Sequence, residues 1–227
     1  MTGGAAAQLA FDLPARPALG REAFFVAGPN RLALAQVDAW PDWPMRRLAV
    51  AGPEGAGKTH LAHVWAARSG AEVLPAASVA GLDLAAVPGG AALAVEDADR
   101  VAGDRPAEVA LFHLANHLAA GGGSLMVSGR EPPARWPLVL PDLASRLGAA
   151  PVARLEAPDD ALLAAVLVKL FADRQVAVAP GLIAYLVSRM ERSFAAAEAL
   201  VGALDRAGLA GHRPLTPRLA AEVLFRG

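Results

Sequence analysis

Short, unbroken apolar runs alternate with longer stretches of mixed polarity through the first part of the chain, and then the runs stop. Residues 47–51 (Arg-Leu-Ala-Val-Ala) predict a buried strand, and the glycine-rich loop behind it leads into a helix over residues 58–69. Residues 91–95, ending in Glu96-Asp97, and residues 124–128, ending at Gly129, predict two further strands, with a helix over residues 108–119 between them. Residues 152–155 predict a last strand. Strands that are apolar on both faces and separated by helices predict a parallel sheet covered on both sides, an α/β fold. Beyond residue 158 only helical spacing is visible. Leu162, Leu163, Val166, Leu167, Leu170 and Phe171 follow Asp159 and Asp160, which suit a helix start both as caps and electrically. Residues 181–190 predict a second helix. Ser193 can cap a third, running to Arg206 before Gly208, and Thr216-Pro217 opens a fourth. The expected organisation is a flexible Ala-, Gly- and Pro-rich tail over 1–20, an α/β core over 21–156 and an all-helical unit over 157–227.

Composition narrows the setting. A chain of 227 residues has room for one α/β module and a small appendage. It is 55% hydrophobic and 19% charged, without an apolar run long enough for a transmembrane helix, so no membrane association is expected. Met1 to Ala7 carry no basic side chain and lead into no long apolar stretch, so no secretory signal is expected and the cytoplasm is the default address. The absence of cysteine removes disulfides and thiolate metal sites from consideration. Net charge is −1, with Lys and Arg dispersed, which argues against direct sequence-specific DNA binding through a basic patch.

The strongest chemical signal is Gly52-Pro53-Glu54-Gly55-Ala56-Gly57-Lys58-Thr59, followed by His60. Glycines let successive backbone N–H groups converge on phosphates while the next helix turns its positive end toward them. In such a P-loop Lys58 reaches the β and γ phosphates of ADP or ATP, and the Thr59 hydroxyl ligates Mg²⁺. Glu96 and Asp97, at the end of a buried strand, stand where phosphate-hydrolysing relatives hold the metal and orient water, with Glu96 in the metal-facing position. Ser128 ends the next strand, either as a sensor of the γ-phosphate or as a strand-end turn residue. Arg146, taken alone, reads as a surface charge. His113 and His117 share a helix face, but position 114 is Leu and no third ligand is evident, so the pair reads as structural. Trp40-Pro-Asp-Trp-Pro44 reads as a stiff turn whose indoles cover the core.

Together these residues resemble the DnaA-related AAA+ family over nearly the whole chain. Phe24-Phe-Val-Ala-Gly-Pro-Asn30, which includes Val26 and Asn30, is similar to the family's segment against the adenine. Gly52 to Thr59 and Glu96-Asp97 follow in family order, Gly129, Pro132 and Pro133 fit, and Pro141-Asp-Leu-Ala-Ser-Arg-Leu147 is similar to the arginine-finger segment. The resemblance implies an AAA+ parallel-sheet core with a C-terminal helical lid, ADP or ATP with Mg²⁺ held by Thr59 and Glu96, and catalytic roles for Glu96, Asp97, Ser128 and Arg146. It is strongest to the branch that regulates DnaA. Gln8-Leu-Ala-Phe-Asp-Leu13 resembles the peptide by which that branch docks on the DNA polymerase sliding clamp, assigning partner contacts to Gln8, Leu9, Phe11 and Leu13. The sequence ends at Gly227, after the lid, with no basic helix-turn-helix. An adaptor bound to nucleotide and clamp that stimulates hydrolysis on DnaA is therefore expected, with weak hydrolysis of its own. A helicase loader of similar build and a P-loop small-molecule kinase are the alternatives. The chain also departs from the family pattern: the lid arginine that touches phosphates falls on Ala195, with Arg192 three residues earlier, Glu96 replaces the usual Asp, and Arg130 stands where relatives often carry an acid.

Overall fold

Alternation along each strand decides which side chains meet which helices. In the computed structural model, which describes residues 25–178, 180–211 and 213–224, five parallel strands pair in the order β2-β3-β4-β1-β5. They are β1 (Arg47–Ala51), β2 (Glu72–Pro75), β3 (Ala92–Glu96), β4 (Ser124–Gly129) and β5 (Val152–Arg154). Leu48 and Val50 of β1, Ala94 of β3 and Met126 of β4 pack on α1 (Gly28–Asp38) and α2 (Lys58–Ser69). Their neighbours Ala49, Leu93, Val95, Leu125 and Val127 turn to the other side, against α3 (Arg105–Gly121) and α4 (Pro141–Gly148). Both sheet faces are therefore covered, as strands apolar at every position require.

The tryptophan-rich turn closes the first of these faces. The Trp43 indole lies 4.9 Å from that of Trp65, and Trp40 meets Trp65 edge-on at 6.4 Å. The Trp40 Nε1–H donates to Ser124 Oγ and the Trp43 Nε1–H to the Gln36 carbonyl, so both polar edges are satisfied beneath the surface.

After β5 the chain leaves the sheet for four helices, α5 (Asp160–Asp173), α6 (Pro180–Val187), α7 (Phe194–Gly211) and α8 (Pro217–Leu224). Leu163, Leu167 and Phe171 meet Leu182, Leu186, Val201 and Leu204 in a separate core. The helix starts read from the sequence carry their caps. Asp159 Oδ1 accepts from Leu162 N–H at 2.8 Å, Ser193 Oγ from Ala196 N–H at 3.0 Å and Thr216 Oγ1 from Leu219 N–H at 3.4 Å. Two lid ends differ from expectation. The second helix stops at Val187 in a turn over 188–190, where the Ser188 hydroxyl donates back to the Tyr185 carbonyl, and the third passes through Gly208 to Gly211, an internal glycine costing a helix only about 1 kcal/mol. Among the described residues no helix is long and apolar enough to cross a membrane. Gln8, Leu9, Phe11 and Leu13 lie outside the described residues.

Candidate functional site: a phosphate loop and a distant arginine

β1 ends at Ala51 and α2 begins at Lys58, so the glycine loop spans the gap between a buried strand and a helix N-terminus. At Gly52 a Cβ would come within 2.6 Å of the Leu155 carbonyl oxygen, and Gly57 has φ +92°, a conformation that L side chains rarely adopt. Lys58 is buried. Its Nζ donates to the carbonyls of Gly52 and Pro53, each at 2.9 Å, so the ammonium curls back over the loop. Burial pulls its pKa below the ordinary lysine value and Arg130 adds to this, while Asp97, Asp99 and Glu54 oppose it. Ala56 is buried, His60 half-buried, and Pro53, Glu54 and Thr59 are exposed, leaving the Thr59 side chain accessible on the first turn of α2. Beside α1, buried Asn30 donates to the Phe25 carbonyl at 2.7 Å and accepts from Ala27 N–H at 2.9 Å, folding the segment that carries the exposed Val26.

Continuing the alternation of Ala92 and Ala94 puts Glu96 on the α2 side of the sheet. Its Oε1 is buried and has no hydrogen-bond partner. An orphaned carboxylate oxygen on the phosphate-loop side suits a cation or its bound water. Thr59 and Glu96 are thus chemically suited to Mg²⁺, which would neutralise phosphate charge there. Asp97 adopts a left-handed conformation (φ 50°), and its N–H donates to Ser128 Oγ at 3.1 Å. Ser128 therefore fixes the turn that carries Asp97, whose carboxylate meets Arg100 at 3.2 Å.

The lid reaches the loop directly. Phe194 N–H donates to the Gly55 carbonyl at 3.1 Å, and a Cβ at Gly57 would touch the Phe194 ring at 3.0 Å. Ala195, which the sequence resemblance sets at the lid arginine's position, is exposed and uncharged. Arg192 does not supply the missing cation in this arrangement: its guanidinium pairs with Asp160 at 2.7 Å.

Arg146 belongs to a different end of the molecule. Arg47, at the start of β1, donates to the Arg146 carbonyl at 3.5 Å, whereas the glycine loop begins after the strand's last residue. A five-residue strand separates the two ends by roughly 16 Å at ~3.3 Å per residue. The half-buried Arg146 guanidinium sits 5.3 Å from the centre of the Phe112 ring, on an open cavity of about 850 Å³ also lined by Arg46, Arg47, Asp142 and Ser145. The segment leading to α4 is tied down by Glu108 of α3, which is fully buried and accepts from Gly103 N–H at 2.8 Å, from Val139 N–H at 3.0 Å and from Leu140 N–H at 2.7 Å. Burial alone would push the Glu108 carboxyl up, but those N–H groups and nearby Arg105 hold it below the ordinary carboxylate value.

The structure thus brings Lys58, Thr59, Glu96, Asp97 and Ser128 to one end of the sheet and leaves Arg146 at the other. His117 meets the Val87 carbonyl at 2.7 Å through Nε2. Phe194 at the loop, and Phe112 and Glu108 behind Arg146, carry no assignment from sequence, and neither does the pairing of Arg130 with Glu54.

A parallel sheet in this order, a P-loop between β1 and α2, carboxylates at the end of β3 and a helical bundle after β5 define an AAA+ fold of the kind seen in DnaA and RuvB. The structure matches domain III of the Thermotoga maritima replication initiation protein DnaA with a TM-score of 0.81, over 94% of this chain and 98% of that one at 17% identity. AMPPCP-bound DnaA from Aquifex aeolicus matches with a TM-score of 0.71 at 18% identity, over 86% of this chain and 68% of that one. The Thermotoga maritima RuvB Holliday junction branch migration motor matches with a TM-score of 0.63 at 18% identity, over 78% of this chain and 60% of that one. No protein-family model matches the chain.

Proposed function

We propose that this chain is a regulator of replication initiation of the Hda type, acting in the cytoplasm. In this reading it holds ADP or ATP with Mg²⁺ through Gly52 to Thr59 and Glu96, and docks on the DNA polymerase sliding clamp through Gln8, Leu9, Phe11 and Leu13. From there it presents Arg146 to ATP held by DnaA. The observation that carries the reading is the placement of Arg146 at the start of β1, remote from the chain's own glycine loop. An arginine so placed cannot serve the nucleotide of its own subunit and is available to a neighbour's. An arginine finger supplied in trans sets a fixed cation against the charge that develops during phosphoryl transfer, and is worth about 10³ to 10⁵ in rate. The AMPPCP-bound DnaA structure supports nucleotide as the ligand of this fold. Phe112 and Arg47 support the same role, one stacking under the guanidinium and the other bracing the main chain behind it.

The test loads labelled ATP on DnaA and adds clamp on DNA with parent protein or Arg146→Ala. The parent is expected to accelerate hydrolysis and the variant to fail while still binding ADP and clamp. Equal hydrolysis with both proteins would return Arg146 to the status of a surface charge.

A further inference from the structure

One cation reaches the glycine loop from the end of β4. Arg130 follows the last residue of β4, and its main chain is fixed because its N–H donates to Asp99 Oδ2 at 2.9 Å. Its guanidinium crosses to the glycine loop and pairs with the carboxylate of Glu54. Both side chains are largely exposed, so water competes for each and the pair is easily exchanged. Arg130 also acts electrostatically on Lys58, as do Asp97, Asp99 and Glu54. Meanwhile the first turn of α7 brings the uncharged Phe194 to the loop, and Arg192 is held by Asp160. Arg100 is held by Asp97.

Resting on the nucleotide reading above, we propose that Arg130 is the cation by which this P-loop distinguishes a nucleoside triphosphate from a diphosphate, with Glu54 as the carboxylate it leaves to do so. A terminal phosphate carries more charge than one carboxylate and offers a planar guanidinium two oxygens at once, so it displaces Glu54 from Arg130. A diphosphate ends nearer Lys58 and leaves the Arg130–Glu54 pair in place. Glu54 then weakens triphosphate binding twice, by occupying Arg130 and by repelling the incoming charge.

The test is calorimetric titration of the full chain with ADP and with AMPPCP in the presence of Mg²⁺. Arg130→Gln is expected to weaken AMPPCP binding about tenfold while changing ADP binding by less than about twofold, and Arg130→Lys to recover part of the loss. Glu54→Gln is expected to strengthen AMPPCP several-fold relative to ADP, an effect that disappears when Arg130→Gln is also present. Arg130→Gln that lowers both affinities equally, or neither, overturns this proposal alone. A parent protein that binds neither nucleotide overturns the nucleotide reading, and this proposal with it.

Discussion

Replacing Glu108 tests how the edge that carries Arg146 is held. Its carboxylate is completely buried and serves three N–H groups, one at Gly103 and two in the segment entering α4, at Val139 and Leu140. Glu108→Ala removes the acceptor for all three and leaves a void. An unsatisfied buried donor costs roughly 1–3 kcal/mol, but Gly103 and Val139 lie on exposed residues whose N–H groups can turn partly to water, so the low end applies to each and the total is about 3–4 kcal/mol. For a domain of this size that corresponds to a fall of roughly 6–16 °C in Tm. Glu108→Gln keeps an acceptor oxygen and loses its charge, and about 1–2 kcal/mol is expected. The folded pKa lies below the unfolded value, so the carboxylate's contribution is fully present above the unfolded pKa and is lost as pH falls through the folded one. The gap between parent and Glu108→Gln should accordingly hold at neutral pH and shrink under acid conditions. Urea unfolding followed by tryptophan emission is the assay, because Trp40, Trp43, Trp65 and Trp136 all belong to the α/β core and none to the lid. Stability of Glu108→Ala within about 0.5 kcal/mol of the parent, the scatter of ordinary surface substitutions, would refute the reasoning.

Two further outcomes follow from the proposed function. ADP at about 100 times its Kd should stabilise the parent by about 2.7 kcal/mol, a rise of roughly 5–11 °C in Tm, and Lys58→Ala should show no rise; equal ADP-induced shifts in the two proteins would remove Lys58 from the phosphate site. Alanine at Gln8, Leu9, Phe11 and Leu13 together should abolish clamp binding without altering Tm, since a few apolar anchors dominate the affinity of an extended peptide in a preformed groove; unchanged clamp affinity would sink the docking role.

The parts of the fold legible in sequence are those with a strong local pattern. β1, β3 and β4 are apolar runs bounded by glycine or acid, and the span read for α2 coincides with the helix itself. β2 escaped notice because Glu-Val-Leu-Pro at a sheet edge offers only two apolar residues. α1 opens with Gly-Pro-Asn, a turn signature, and its buried apolar residues are only the narrow stripe of Ala33, Leu34 and Val37, while α4 has just eight residues. The glycine loop could be read because its chemistry lies in consecutive residues. The Arg130–Glu54 pair and the Arg146–Phe112 stack join residues far apart in the chain, and no spacing rule reaches them. Glu108 did leave a trace: it stands in line with Leu111, Ala115 and Leu118, a charged residue on the buried stripe of its helix.

The seat of Phe194 against Gly55 and Gly57 also has a mechanical side. α7 is an 18-residue rod, about 27 Å long at ~1.5 Å per residue, whose root rests on the glycine loop while its far end stands clear of it. Rotating such a rod by about 5° at its root would sweep its tip through roughly 2 Å, so a small tilt at the loop is largest at the end farthest from it. α5 and α8 pack along the same rod. Loop and lid would in this sense act as one lever, its long arm reaching away from the glycines.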